Sequence, residues 1–105
     1  MILVETMLPV KYNNGERIPT VVIENILLMI GEAFGGYTIS APGHGFWVGP
    51  TGRHYYEPNQ TLRVAIAESR LEEARAMVRG IGVELGQESM YFCVLGNVDF
   101  LQVKP

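Results

Sequence analysis

Apolar and polar residues alternate from the first residues of the chain. Ile2, Val4, Thr6 and Leu8 fall on one side of an extended segment and Leu3, Glu5 and Met7 on the other, which predicts a strand over residues 2–10. Asn13-Asn14-Gly15-Glu16 reads as a turn, because Asn and Gly tolerate positive φ. The period then lengthens to that of a helix. Pro19 and Thr20 open it, with Thr20 as candidate N-cap, and its inner stripe is Val22, Ile23, Ile26, Leu27, Ile30, Ala33 and Phe34. Gly35-Gly36 ends it, since a glycine past the last turn can take the left-handed cap.

Residues 37–39 and 46–48 read as extended, separated by Ala41-Pro42-Gly43, and Gly49-Pro50-Thr51-Gly52 turns the chain back. The next strand starts near His54, is broken or bulged around Pro58-Asn59, and recovers as the alternating run Leu62-Arg63-Val64-Ala65-Ile66. Ser69 and Glu72 have the spacing of a capping box for a second helix, whose inner stripe is Leu71, Ala74, Val78, Ile81 and Leu85 and whose stop is Gly86. Gly80 and Gly82 weaken that helix by up to ~1 kcal/mol each relative to Ala, which suggests a close approach to another backbone. A last strand is predicted over residues 89–95. Gly96-Asn97 is a two-residue hairpin signal, so residues 98–103 form either a short fifth strand or a bulged continuation of the fourth. This order predicts a ferredoxin-like β-α-β-β-α-β sandwich, an antiparallel α+β sheet with two helices on one face.

Composition bears first on assembly. A chain of 105 residues is one domain, residues 1–105, and 48% of it is hydrophobic against 18% charged. The last strand is apolar in both parities, with Met90, Phe92 and Val94 against Tyr91, Cys93 and Leu95, and the first strand adds Leu3 and Met7. The helices cover one sheet face, so an apolar patch is left on the other and predicts a homodimer. The alternative is that residues 98–103 fold back over it. A net charge of −3, with Arg70, Arg75 and Arg79 diluted by Glu68, Glu72 and Glu73, offers nucleic acid no basic stripe. Glu5 interrupts the first apolar run, so no signal peptide is read, and no run approaches the ~20 apolar residues of a membrane span. A cytoplasmic protein is expected. The single cysteine, Cys93, excludes an internal disulfide, and an apolar strand leaves such a thiol inert.

The unusual region is residues 37–57, with Tyr37, His44, Trp47, Arg53, His54, Tyr55, Tyr56 and Glu57. A turn centred on Pro50-Thr51 would pair His44 with Glu57 and Trp47 with His54, putting the two histidines on opposite faces. That register argues against a metal site built on both. It leaves His44 and Glu57 as either an acid–base pair or a partly exposed cross-strand contact. Tyr37, His44, Trp47, His54, Tyr55 and Glu57 are the candidate ligand-binding residues; no catalytic residue is assigned and no motif implies a cofactor. Gly43-His44-Gly45 lacks the spacing and following helix of a phosphate loop. Gln87-Glu88 either reaches toward the hairpin or caps its own turn.

Phe34-Gly35-Gly36-Tyr37-Thr38, Gly45-Phe46-Trp47, Tyr56-Glu57 and Leu85-Gly86-Gln87-Glu88-Ser89 together resemble a small uncharacterised family of bacterial proteins of ferredoxin-like α+β type. These share, in the same order, an FGG-aromatic-T turn, a G-x-W strand and an LGQE turn. The likeness spans the chain from the first helix to the last strand and implies the two-half fold, with no activity to carry over. Residues 39–44 depart from it. The function expected is a homodimeric binding or accessory domain with a small-molecule pocket at the hairpin. The alternatives are a small dimeric enzyme using His/Glu acid–base chemistry, or a protein-interaction module.

Overall fold

The computed structural model describes residues 1–104. Its elements are β1 (Ile2–Pro9), α1 (Thr20–Phe34), β2 (Thr38–Ile39), β3 (Gly43–Val48), β4 (His54–Ile66), a 3₁₀ turn (Glu68–Arg70), α2 (Leu71–Glu84) and β5 (Phe92–Asn97). All pairings are antiparallel, and the sheet runs β2-β4-β1-β5 with β3 also on the outer side of β4. This is the ferredoxin-like α+β arrangement, with what is one strand in the simplest version divided into β2 and β3.

The helix-facing side of the sheet follows the predicted parity. Ile2, Val4 and Leu8 of β1 and Leu62, Val64 and Ile66 of β4 are buried with Ile26 and Ile30 of α1 and Ala74 and Ile81 of α2. Gly35 closes α1 at φ +87°, its N–H donating to Gly31 O at 2.8 Å. Thr20 is the first helical residue rather than the cap, which is Pro19.

The predicted capping box does not form. A 3₁₀ turn precedes α2, and Glu72 is drawn to Arg75 at 3.0 Å. Arg70 takes over the work of joining the helices: it pairs with Glu73, donates to Ala33 O at 2.8 Å and lies 4.5 Å over the Phe34 ring. Of the two α2 glycines, only Gly82 meets a neighbour. A Cβ there would lie 2.6 Å from Met90 Cγ, whereas one at Gly80 meets nothing within 4 Å. The approaching group is thus a side chain, not the predicted backbone.

The strands differ from expectation in two places. β4 is continuous through Pro58, because the missing N–H has nowhere to be missed. Val10 O, the acceptor on the β1 side, is taken by Ile18 N–H at 3.0 Å, while Pro58 O still accepts from Val10 N–H at 3.2 Å. β5 continues through Gly96-Asn97 with no hairpin; Leu3 pairs with Gly96 and Val4 with Val94, so Leu95 is the extra residue of a bulge, followed by Gly96 at φ +135°. Residues 98–104 form no strand; Val98 N–H donates to Met1 O, and Phe100, Leu101 and Val103 are exposed.

The sheet face opposite the helices is less greasy than expected. At its centre Glu5, only 8% exposed, accepts from Arg63 Nε at 2.8 Å and the Tyr91 hydroxyl at 2.9 Å. The Arg63 guanidinium holds the Glu5 carboxyl below its usual range, against the pull of burial. Cys93 is half-buried and directly opposite Glu5 in the β1–β5 register, so it has a polar neighbour and not wholly apolar surroundings, and Cys93 and then Glu5 push the Tyr91 phenol up to about 12. Exposed apolar side chains remain on β5 (Val94, Leu95), and others lie on α1 (Val21, Leu28, Met29), on the β3–β4 hairpin (Phe46, Val48, Tyr56) and on the segment after β5.

The two glycines of α2 should respond oppositely. Gly80→Ala should raise stability by up to ~1 kcal/mol through helix propensity, while Gly82→Ala should lower it by about 1–3 kcal/mol by displacing Met90. Urea unfolding of both variants checks this, and equal responses would contradict the packing described.

Candidate functional site

The hairpin of β3 and β4 extends past the Pro9 end of β1, beyond the sheet that the helices cover. Its register comes from its turn. Gly52 N–H donates to Gly49 O at 2.9 Å and Gly49 N–H to Arg53 O at 2.8 Å, with Gly52 at φ +82°. Pro50, Thr51 and Gly52 therefore make a three-residue loop of the turn-plus-left-handed-residue kind, not the two-residue turn expected. The odd length moves every pair by one: His44 faces Pro58, Trp47 faces Tyr55 and Val48 faces His54.

The other end of β3 makes the matching adjustment. Ile39 pairs with Leu62 but Gly43 with Asn59, one residue more on the β2–β3 side. Ser40 spans the gap: its N–H donates to Thr61 O and its Oγ accepts from Thr61 N–H, both at 2.9 Å. In consequence Gly45, Trp47, Tyr55, Glu57 and Asn59 share one face, continuous with Met7 and Pro9 of β1.

On that face the side chains interlock. Trp47 stacks on Tyr55 with centroids 5.9 Å apart and planes 17° apart. A Cβ at Gly45 would lie 2.7 Å from Asn59 Nδ2 and 3.0 Å from Trp47 Cζ3, which explains the G-x-W spacing. Tyr55 is 6% exposed, and its hydroxyl makes a short hydrogen bond to Glu88 Oε2. Glu88 Oε1 accepts from Thr51 N–H at 3.2 Å and Thr51 Oγ1 at 3.1 Å. The tyrosine holds the Glu88 carboxyl below its usual range, and Glu88 in turn raises the Tyr55 phenol. Glu88 thus clasps the hairpin tip, while Gln87 caps its own turn through Leu85 O at 3.3 Å.

Between hairpin and clasp lies a cavity of about 360 Å³, walled by Trp47, Met7, Met90 and Tyr91 and reached by Glu57, Asn59, Gln87 and Ser89. Two polar atoms there lack partners: Glu57 Oε1 and Nδ2 of Asn59, itself 6% exposed. Burial raises the Glu57 carboxyl, opposed by the Arg53 charge. A wider groove of about 700 Å³ beside Arg75 and Arg79 contains no such atom among the described residues. Unpartnered buried polar groups are expensive and rare, so the smaller cavity is the candidate site.

Of the residues singled out from sequence, the structure brings together Trp47, Tyr55 and Glu57. Tyr37 is remote, packed 3.7 Å from the Cβ position of Gly31 in α1. His44 and His54 lie on the face away from Glu57, His54 edge-on to Phe46 at 5.5 Å, so the expected His44–Glu57 pair does not form. The two histidines share a face, contrary to the predicted register, but are separated along the strands by about 13 Å. Among the described residues no three His, Cys, Asp or Glu side chains converge as a metal site. Asn59, Met7, Met90 and Tyr91 escaped sequence reasoning; Asn59 did so because Pro58-Asn59 looked like a strand break.

No family model and no curated protein matches the sequence. Solved structures do match the fold. A phage SAM lyase in complex with S-methyl-5'-thioadenosine superposes with a TM-score of 0.70 at 9% identity, covering 90% of this chain and 80% of that one. Pyrococcus horikoshii CutA, crystallised in the presence of guanidine hydrochloride, gives 0.67 at 12% identity, over 96% and 88%. At these identities the likeness is one of fold. No helix among the described residues is long and apolar enough to cross a membrane.

The clasp predicts a pH effect. A carboxyl lowered by its native contacts stabilises above its unfolded value and loses that contribution as pH falls through the lowered one. Glu88→Ala should speed amide hydrogen exchange in β3 and the turn, leaving β1 unchanged. The difference from wild type should shrink on acidification below the Glu88 value; a difference constant with pH would contradict the clasp.

Proposed function

We propose that this chain is a cytoplasmic small-ligand-binding domain that works as a homodimer and takes its ligand in the cavity between Trp47 and the residue 87–91 segment. One observation carries the reading: Glu57 Oε1 and Asn59 Nδ2 stand unpartnered on the wall of an otherwise apolar, aromatic-lined cavity. A desolvated acceptor and a desolvated donor, two residues apart on one face of β4, call for a ligand that supplies the complements. Trp47 favours a flat body. The SAM lyase of similar fold is in complex with S-methyl-5'-thioadenosine, whose adenine offers an amine beside ring-nitrogen acceptors. That makes it the first ligand to try.

A catalytic reading has one observation behind it, the raised Glu57 carboxyl, which suits an acid or base. Its expected histidine partners lie on the other face of the hairpin, so binding is the better-supported reading. Mass spectrometry of the recovered ligand separates the two, since turnover would leave products.

Trp47 is the only tryptophan, so its fluorescence reports directly on the cavity. Addition of S-methyl-5'-thioadenosine should give a saturable change, and Glu57→Gln should weaken binding by about 10-fold or more. Because the native-state Glu57 carboxyl is raised, native stability declines as pH rises through that value, and carboxylate-dependent binding weakens as pH falls below it. Glu57→Gln should therefore keep or raise the melting temperature at pH 7. A flat titration together with a melting temperature lowered by Glu57→Gln would overturn the reading, since it would mean that the carboxylate already has a partner.

A further inference from the structure

We infer that the segment after β5 adds in trans to the outer edge of β3 of a second copy, extending that copy's sheet. The inference rests on the self-association proposed above and is independent of the ligand. β3 is an edge strand: it pairs with β4 on one side and with no strand among the described residues on the other. Gly49 N–H bonds to Arg53 O, so by antiparallel alternation the N–H and C=O groups of His44, Phe46 and Val48 point outward. Natural edges are usually guarded by Lys, Pro, charge or shortness, and Gly43–Val48 has none of these guards. Its face toward the helix side instead presents Phe46 and Val48, with Tyr56 opposite, all exposed.

The occupant is argued from length and reach. Residues 98–103 alternate Val98, Phe100 and Gln102 with Asp99, Leu101 and Val103, and number six, as does β3. They form no strand in their own subunit, and Phe100, Leu101 and Val103 are 67%, 83% and 93% exposed. Nor can they pair along their own β3. Val98 is tied to Met1 O, at the far end of β1 from the hairpin. β1 is eight residues, about 26 Å, long, and β3 begins only at its Pro9 end. Val103, five residues past Val98, reaches at most about 18 Å. An edge with no strand and a strand with no edge, too far apart within one subunit, fit each other between subunits. Such a contact closes as a reciprocal pair or a ring.

Light scattering coupled to size-exclusion tests this on three forms: the full chain, a chain ending at Val98, and Leu101→Pro. The full chain should weigh a multiple of 11.7 kDa. The shortened chain should run as a single subunit with an unchanged circular dichroism spectrum, because it keeps Val98 N–H. Leu101→Pro removes a strand donor without touching the domain, so it should lower the mass likewise and decides the matter if the shortened chain fails to fold. A full chain at 11.7 kDa would defeat both this inference and the proposed self-association. A multimer that survives both changes would defeat the inference alone and place the interface elsewhere.

Discussion

The register of one hairpin governs the chemistry of this molecule. A three-residue turn at Pro50–Gly52 and a one-residue insertion between β2 and β3 bracket β3 from its two ends. Together they decide that Trp47, Tyr55, Glu57 and Asn59 face the same way. A slip of one residue would exchange the faces of one strand relative to the other and set Glu57 beside His44. The glycines then make the chosen register workable. Gly45 admits the Trp47 ring and the Asn59 amide, and Gly49 admits the Glu88 carboxylate, at distances a Cβ would forbid.

Because the hairpin outruns the helices, the molecule is drawn out to 52 Å against 27 and 22 Å in the other directions. An overhanging ribbon has two faces to cover. Residues 87–91 take one face, with Glu88 clasping the tip and Met90 anchoring the segment against Gly82 of α2. That cover is incomplete, and the space left is the cavity into which Glu57 and Asn59 project. The other face keeps Phe46, Val48 and Tyr56 uncovered. The proposed ligand site and the proposed subunit contact are thus two consequences of a single overhang.

The helices and the central strands were legible from sequence because each carries an apolar period that the core reads directly: Ile26 and Ile30, Ala74 and Ile81, Ile2 and Val4, Leu62 and Val64. The overhang was not, since its side chains answer to a turn and to a distant loop, not to a period. Trp47, Tyr55 and Glu57 stand out by composition alone, while Asn59 is hidden behind a proline that ordinarily breaks a strand. The open sheet face misled for a different reason. Its apolar count was right, but Glu5, Arg63 and Tyr91 form a polar knot at its centre, which alternation cannot reveal. Glu88 was visible as a group that could reach the hairpin, and it does so.

The state of the Glu57 carboxyl tests the central claim most directly. If the register places it on the cavity wall without a partner, carbon-detected NMR of the ligand-free protein should find it titrating above the ordinary glutamate range, because desolvation favours the neutral acid. Titration at or below that range would mean a carboxylate that is solvated or already paired. A cavity with an unpartnered Glu57 on its wall would then not exist.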